Sequence, residues 1–285
     1  DVLPANGDEA VNAAALLALL GIGAVYFNVQ SLLAIAAVGI VKLTTTIPEQ
    51  TGDFFDRLVK SIKYFSNPLR LVVVIMQYLF MLLPALWLIK RWHTKNVREY
   101  IRLRPGPILD TILAVLITLS FIPAGNYIAD EFVRQLKVPQ KLMEINAEIF
   151  TSRSPAEFAW LVFVVCLTPA LCEEIFFRGY VQRTFERTMG WKSVILIGVL
   201  FGLFHFQPLG LVTLSILGML FGYFYYRSKS LLPSMAAHFA NNLTAVIFLF
   251  RDPSQPDDVV NATSQIPLWL VGVTLPLGVG LLIAY

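Results

Sequence analysis

The chain is short of charge. Of its 285 residues only 14% are Asp, Glu, Lys or Arg, 56% are apolar, and the mean hydropathy is +0.67. That balance excludes an ordinary water-soluble domain and is the composition of a membrane protein. Neither sign of charge dominates: 22 Lys and Arg stand against 19 Asp and Glu, too small an excess to hold nucleic acid, so the placement of the charges matters more than their sum. Cysteine is nearly absent. Cys166 and Cys172 are six residues apart on one expected helix, about 9 Å along its axis, which excludes a disulfide and leaves two small buried hydrophobes. Histidine is equally sparse, with His93, His205 and His238 the only three. The opening DVLPANGDEA has no basic segment and does not read as a signal peptide.

What the chain does have is long apolar runs. Windows of about 20 mostly apolar residues mark spans, because ~30 Å of hydrocarbon needs that many residues at helical rise. Eight windows qualify: 12–41, 69–89, 107–128, 156–177, 191–208, 210–227, 231–250 and 267–285. The expected fold is therefore all-α, a polytopic membrane protein of about eight transmembrane helices. The first window carries Asn28 and Gln30, which allows either one tilted helix or a broken one. Residues 129–150 mix charge with apolar positions and predict an amphipathic segment outside the membrane, broken at Pro139. Residues 181–189, with Val181 and Phe185 four apart among charges, predict a short helix on the cytoplasmic surface.

Lys and Arg near span ends orient the chain. Segments 90–104, 178–192 and 227–230 are basic and fall on one side, whereas 251–265 holds three Asp and one Arg. The expected topology places the basic segments and both termini in the cytoplasm. Three regions follow: residues 1–95 with N-terminal spans and a cytoplasmic loop, a core at 96–250, and 251–285 with an outside loop and the last span.

Three polar groups interrupt the spans. In TPALCEEIFFRGY, Glu174 and Arg178 are i and i+4 on one helical face and can neutralise each other, while Glu173 is rotated about 100° away and left pointing elsewhere. The plain alternative is an interfacial cluster with Arg178 reaching lipid headgroups. His205 follows Phe201 by four in an uncharged span, where it could simply cap a carbonyl; Gly198 and Gly202 turn that face toward a neighbouring helix. His238 and Asn242 are again i and i+4, with Asn241 beside them, and Asn in a span is often interhelical glue. Together, an acid pair, two intramembrane histidines and an Asn on successive helices make the parts of a hydrolytic site. Carboxylate and imidazole can activate water, and imidazole with amide can stabilise an oxyanion.

At these residues the chain resembles the CPBP family of intramembrane proteases, which includes the type II CAAX prenyl endopeptidases and the Abi bacteriocin-immunity proteins. The family pattern EExxxR, FxxxH and HxxxN/D is met in order by Glu173, Glu174 and Arg178, by Phe201 and His205, and by His238 and Asn242. The resemblance covers roughly residues 100–250. It implies a protease whose site lies within the bilayer and opens toward the cytoplasm, in a bacterial or archaeal cell membrane, acting on a membrane-anchored peptide or protein. It also implies Glu173 as general base, His205 as the residue that helps hold the water, and His238 with Asn242 as the oxyanion site. Glu174, Arg178 and Phe201 are supporting residues. No cofactor is expected, although Glu, His and His could in principle bind zinc. The bilayer is the implied surrounding, and nucleic acid is not a partner. Two rivals remain: a non-catalytic scaffold or transporter-associated subunit that keeps the cluster, and a proton-coupled transporter, whose repeated halves are not found here. One count disagrees with the rest. From the expected cytoplasmic ends, Glu173 and His238 lie about 7 and 10 Å deep, but His205 about 21 Å.

Overall fold

A computed structural model describes residues 5–139, 147–250 and 266–285. The protein is an all-α polytopic membrane protein, with no strand among the described residues. Helix α1 is Ala5–Thr44 and α2 runs through Phe54–Ile75, Met76–Leu82 and Leu83–Trp92 without interruption. The short α3, Val97–Tyr100, and then α4, Ile108–Gln135, follow. Helix α5 is continuous through Pro155–Leu161, Val162–Leu167, Thr168–Glu174, Ile175–Gln182 and Arg183–Met189. The rest are α6 Lys192–Phe204, α7 Leu211–Ser228, α8 Leu232–Phe248 and α9 Leu268–Ala284. All but α3 coincide with the eight apolar windows, and the helices over 12–44, 56–92, 108–135 and 155–189 are long and apolar enough to cross a membrane.

Several elements depart from the sequence reading. Helix α1 does not depart from it: of the two readings its sequence allowed, it is the single unbroken helix, with Asn28 returning its amide to the carbonyl of Ala24. Helix α2 starts fifteen residues before its apolar window, at a capping box in which Asp53 and Asp56 bond each other's backbone N–H. Residues 129–135 are no separate amphipathic piece: α4 carries on through them and stops at Gln135, four residues before Pro139. Positions 140–146 and the Asp-rich 251–265 lie outside the described residues.

The largest correction concerns residues 181–189. They are the last turns of α5, not a surface helix, and Val181, Gln182, Thr184 and Phe185 are buried. Their charges are met by protein. Glu186 takes a bidentate bond from Arg102, both contacts 2.8 Å, and a third from Lys229 at 2.7 Å. Arg102 is held at φ +56 while its carbonyl accepts from Leu231 N, so the segment after α3, the end of α5 and the α7–α8 turn form one basic layer.

The extension of α5 brings Glu173 to the depth counted for His205 and leaves His238, about 9 Å from the start of α8, as the shallow one by this count. Sixteen residues separate Glu173 from Met189, about 24 Å of helix, and His205 closes α6 after 13 residues, about 20 Å. Both stand at one level. Helices α6 and α7 approach each other closely through facing glycines: a Cβ on Gly218 would sit 2.7 Å from the carbonyl oxygen of Gly198. Small residues on both faces let the two backbones touch, which fixes His205 at the turn between them.

Candidate active site

Every site residue read from the sequence is brought to one place. Glu173 and Glu174 lie on α5, Phe201 on α6 with His205 capping it, and His238 and Asn242 on α8. The free oxygen Oε2 of Glu173 is 4.0 Å from Nε2 of His205 and 3.9 Å from Nε2 of His238. It is buried with no hydrogen-bond partner. At about 4 Å neither imidazole bonds this oxygen directly, so the three groups face one another across a short gap.

The second carboxylate is fully spent. Glu174 Oε1 accepts from Arg178 at 2.9 Å and from His238 Nδ1 at 2.8 Å, and Oε2 accepts from Ser234. Arg178 is wholly buried, so it does not reach headgroups. It donates to the carbonyl of Gly218 at 2.9 Å and lies 4.5 Å over the ring of Phe201. The i,i+4 pair thus ties α5 to α6, α7 and α8, and Glu174 orients His238.

Tautomers follow from these partners. His205 Nδ1 is 2.7 Å from the carbonyl of Phe201 and His238 Nδ1 faces a carboxylate, so each Nδ1 carries the proton and donates it. In a neutral ring, the Nε2 facing Glu173 is then an acceptor. With Nδ1 committed to Glu174, His238 can donate from Nε2 to an oxyanion only as an imidazolium. Asn242 spends one amide hydrogen on the carbonyl of Val165 at 2.7 Å and accepts from Asn241 at 3.0 Å.

Three stretches of wide, i→i+5 helical turns adjoin the site. Met76–Leu82 holds Gln77, Val162–Leu167 frees the Val165 carbonyl that Asn242 caps, and Ile175–Gln182 holds Arg178. Such turns often mark functional positions because they leave carbonyls unpaired and re-aim side chains. Sequence reasoning missed Gln77, whose Nε2 donates to Glu173 Oε1 at 2.9 Å, and Ser234. A signal for Gln77 existed: an amide inside the apolar window 69–89 is costly without a partner.

The cluster lines a cavity of about 660 Å³. From Glu173 it extends past Gln77 to Arg70, Ile149, Phe150 and Leu249, at the end of the bundle where α5 begins, away from the Arg102–Glu186–Lys229 layer. Tyr26, Gln30 and Ala34 of α1 form a side wall.

Zinc fits the three groups poorly as they stand. Ligands at ~2.1 Å in a tetrahedron are about 3.4 Å apart, closer than the 3.9 and 4.0 Å found here. No group of three His, Cys, Asp or Glu among the described residues is close enough to hold a metal ion.

Residues 155–244, from the start of α5 into α8, match the family model described as type II CAAX prenyl endopeptidase Rce1-like. This bears out the resemblance read from the three motifs, and places all four proposed catalytic residues within the matched segment. No curated protein and no solved structure matches the chain.

Proposed function

From the Rce1-like match over α5–α8, a family of CAAX-type intramembrane proteases, we propose that this chain is an intramembrane endopeptidase that hydrolyses membrane-associated peptides or proteins with a glutamate-activated water. The observation that carries the reading is the unpartnered Oε2 of Glu173 between two imidazole Nε2 atoms at 3.9 and 4.0 Å.

In this mechanism a water sits between Glu173 and His205. Glu173 takes its proton as the oxygen attacks the scissile carbonyl, forming the C–O bond and an oxyanion. The oxyanion meets the remaining amide hydrogen of Asn242 and the Nε2–H that His238 presents as an imidazolium. The C–N bond then breaks, and the proton held by Glu173 passes to the leaving amine. No step requires a metal. Arg178 and Phe201 act behind the reacting groups: one fixes Glu174, the other packs between Arg178 and His205, with ring centroids of Phe201 and His205 4.6 Å apart.

Substrate enters along the cavity that runs from Glu173 past Gln77 toward Arg70 and Ile149. A scaffold that merely retained the cluster would need Glu174 and Arg178 but has no use for an unpaired Glu173 oxygen. The test is to compare peptides released from a membrane proteome by wild type and by Glu173→Gln. Peptides absent with the variant support the reading; identical peptide sets from equal amounts of folded protein leave the scaffold as the answer.

A further inference from the structure

The hydrolytic role of Glu173 accounts for the polar side chains of the cluster except one, Gln77. We propose that Gln77 is a positioning residue for that reaction: its amide holds Oε1 of Glu173 so that Oε2 is the oxygen presented to the two imidazoles. The inference rests on the endopeptidase reading and adds to it a residue on α2, outside the segment that matches the protease family.

Geometry carries the argument. Gln77 is 4% exposed, and its Nε2 donates to Glu173 Oε1 at 2.9 Å across the contact between α2 and α5. Its own Oε1 is buried with no partner. An amide kept in a membrane interior with its carbonyl oxygen unpaired is unfavourable, and Leu or Met would fill the same space at no such cost. The bond to Glu173 is what the residue gains in return. A carboxylate gains from such a bond because its terminal torsion is broad: a donor on one oxygen fixes the plane of the group, so that the equivalent second oxygen points at the imidazoles. Gln77 is also the second residue of the wide-turn stretch Met76–Leu82, which follows regular α-helix ending at Ile75, so the local change of pitch sets the direction of this side chain.

A purely structural amide and a positioning one differ in what their loss changes. Gln77→Met keeps length and bulk and removes the donor. Assayed on an internally quenched peptide that wild type cleaves and Glu173→Gln does not, it is expected to lower kcat roughly 10- to 100-fold, the equivalent of one hydrogen bond to a charged group, with KM within about twofold and an unchanged melting profile. Gln77→Asn keeps the amide one methylene short of its acceptor and is expected to show the same split, which preserves the test if the Met variant folds poorly. In infrared difference spectra of Gln77→Met against wild type, a carboxylate band is expected to shift, and to be missing from the same comparison in a Glu173→Gln background. Wild-type kcat in both variants, or a loss confined to KM, overturns the role of Gln77 alone. If wild type and Glu173→Gln are equally inactive on every peptide, the endopeptidase reading itself fails, and the role of Gln77 with it.

Discussion

His238 stands between the two adjacent glutamates, with Nδ1 2.8 Å from Oε1 of Glu174 and Nε2 3.9 Å from Oε2 of Glu173. Neighbours in sequence, the two acids face different ways because a helix turns about 100° per residue. One is neutralised by Arg178 and orients the imidazole; the other is left free toward the cavity. The division of labour between Glu173 and Glu174 is thus a direct result of helical geometry.

That arrangement makes Arg178 a residue of the fold. It is fully buried, and its removal leaves Glu174 charged inside the bundle with only Ser234 and His238 as partners. Taking away one member of such a pair typically costs ~3–5 kcal/mol. Arg178→Ala is expected to reduce the folded fraction in detergent sharply, and Arg178→Lys to restore it poorly, since a single ammonium cannot serve both Glu174 and the Gly218 carbonyl from the same plane. Size-exclusion profiles and melting curves check this. Wild-type stability in the Ala variant would show that the pair contributes little.

The cavity and the basic layer lie at opposite ends of the bundle, which predicts the labelling pattern of introduced cysteines. Positions 98, beside the basic layer, and 150, at the cavity end, are expected to react with a membrane-impermeant reagent from opposite sides. Cys166 and Cys172 are buried and give a quiet background. With the basic segments inside, as their Lys and Arg content predicts, position 98 is expected to label from the cytoplasm and position 150 from the other side. Labelling of both positions from one side contradicts the bundle described here.

How much of this was legible beforehand depended on which neighbour each residue has. Glu173, His205, His238 and Asn242 stood out because they are costly in a membrane and sit at helical spacing, and the Glu174–Arg178 contact followed from i,i+4 alone. Gln77 and Ser234 make contacts between helices that no local pattern encodes. The extra turns of α5 were missed for a related reason: Glu186 reads as a water-facing charge until Arg102 and Lys229, 84 and 43 residues away, are seen to meet it. Hydropathy windows compare a residue with lipid and water, and a protein-lined interior is neither. The direction of the cavity was illegible too, because it depends on where α5 ends, and that end is set by the same buried charges.

His93 offers a pH test at the basic end. Its ring packs 4.7 Å from that of Tyr100 and 5.9 Å from that of Tyr180, and burial, with a smaller effect of Arg187, lowers its pKa from 6.5 to about 4. Below pH 6.5 the unfolded chain takes up a proton that the folded ring refuses until about pH 4. Stability is therefore fully present above pH 6.5 and falls through the interval down to about 4. His93→Phe removes this titration, and its melting temperature is expected to fall less than wild type between pH 7 and 4.5. Equal slopes for the two proteins would mean that His93 is protonated as readily folded as unfolded.

Hydrolysis by this site is expected to be independent of metal. The donors converging on the reacting position are the Glu173 carboxylate and two Nε2 atoms, a set that zinc accepts in kind. Their spacing argues against it here: 3.9 and 4.0 Å from the carboxylate oxygen suit a water that bridges hydrogen bonds better than an ion with ligands at ~2.1 Å. The remaining nearby acid, Glu174, is committed to Arg178, Ser234 and His238, so it is not available as a further ligand. With water as the occupant, Glu173→Gln is expected to abolish turnover because the base is lost, while His205→Ala loses the group that holds the water. Purified protein dialysed exhaustively against a strong chelator, then assayed and measured for metal content, is expected to retain its kcat with less than stoichiometric zinc. Activity that disappears with the metal and returns on adding zinc would instead make Glu173, His205 and His238 ligands, with the Phe201 carbonyl and Glu174 orienting the two rings from behind.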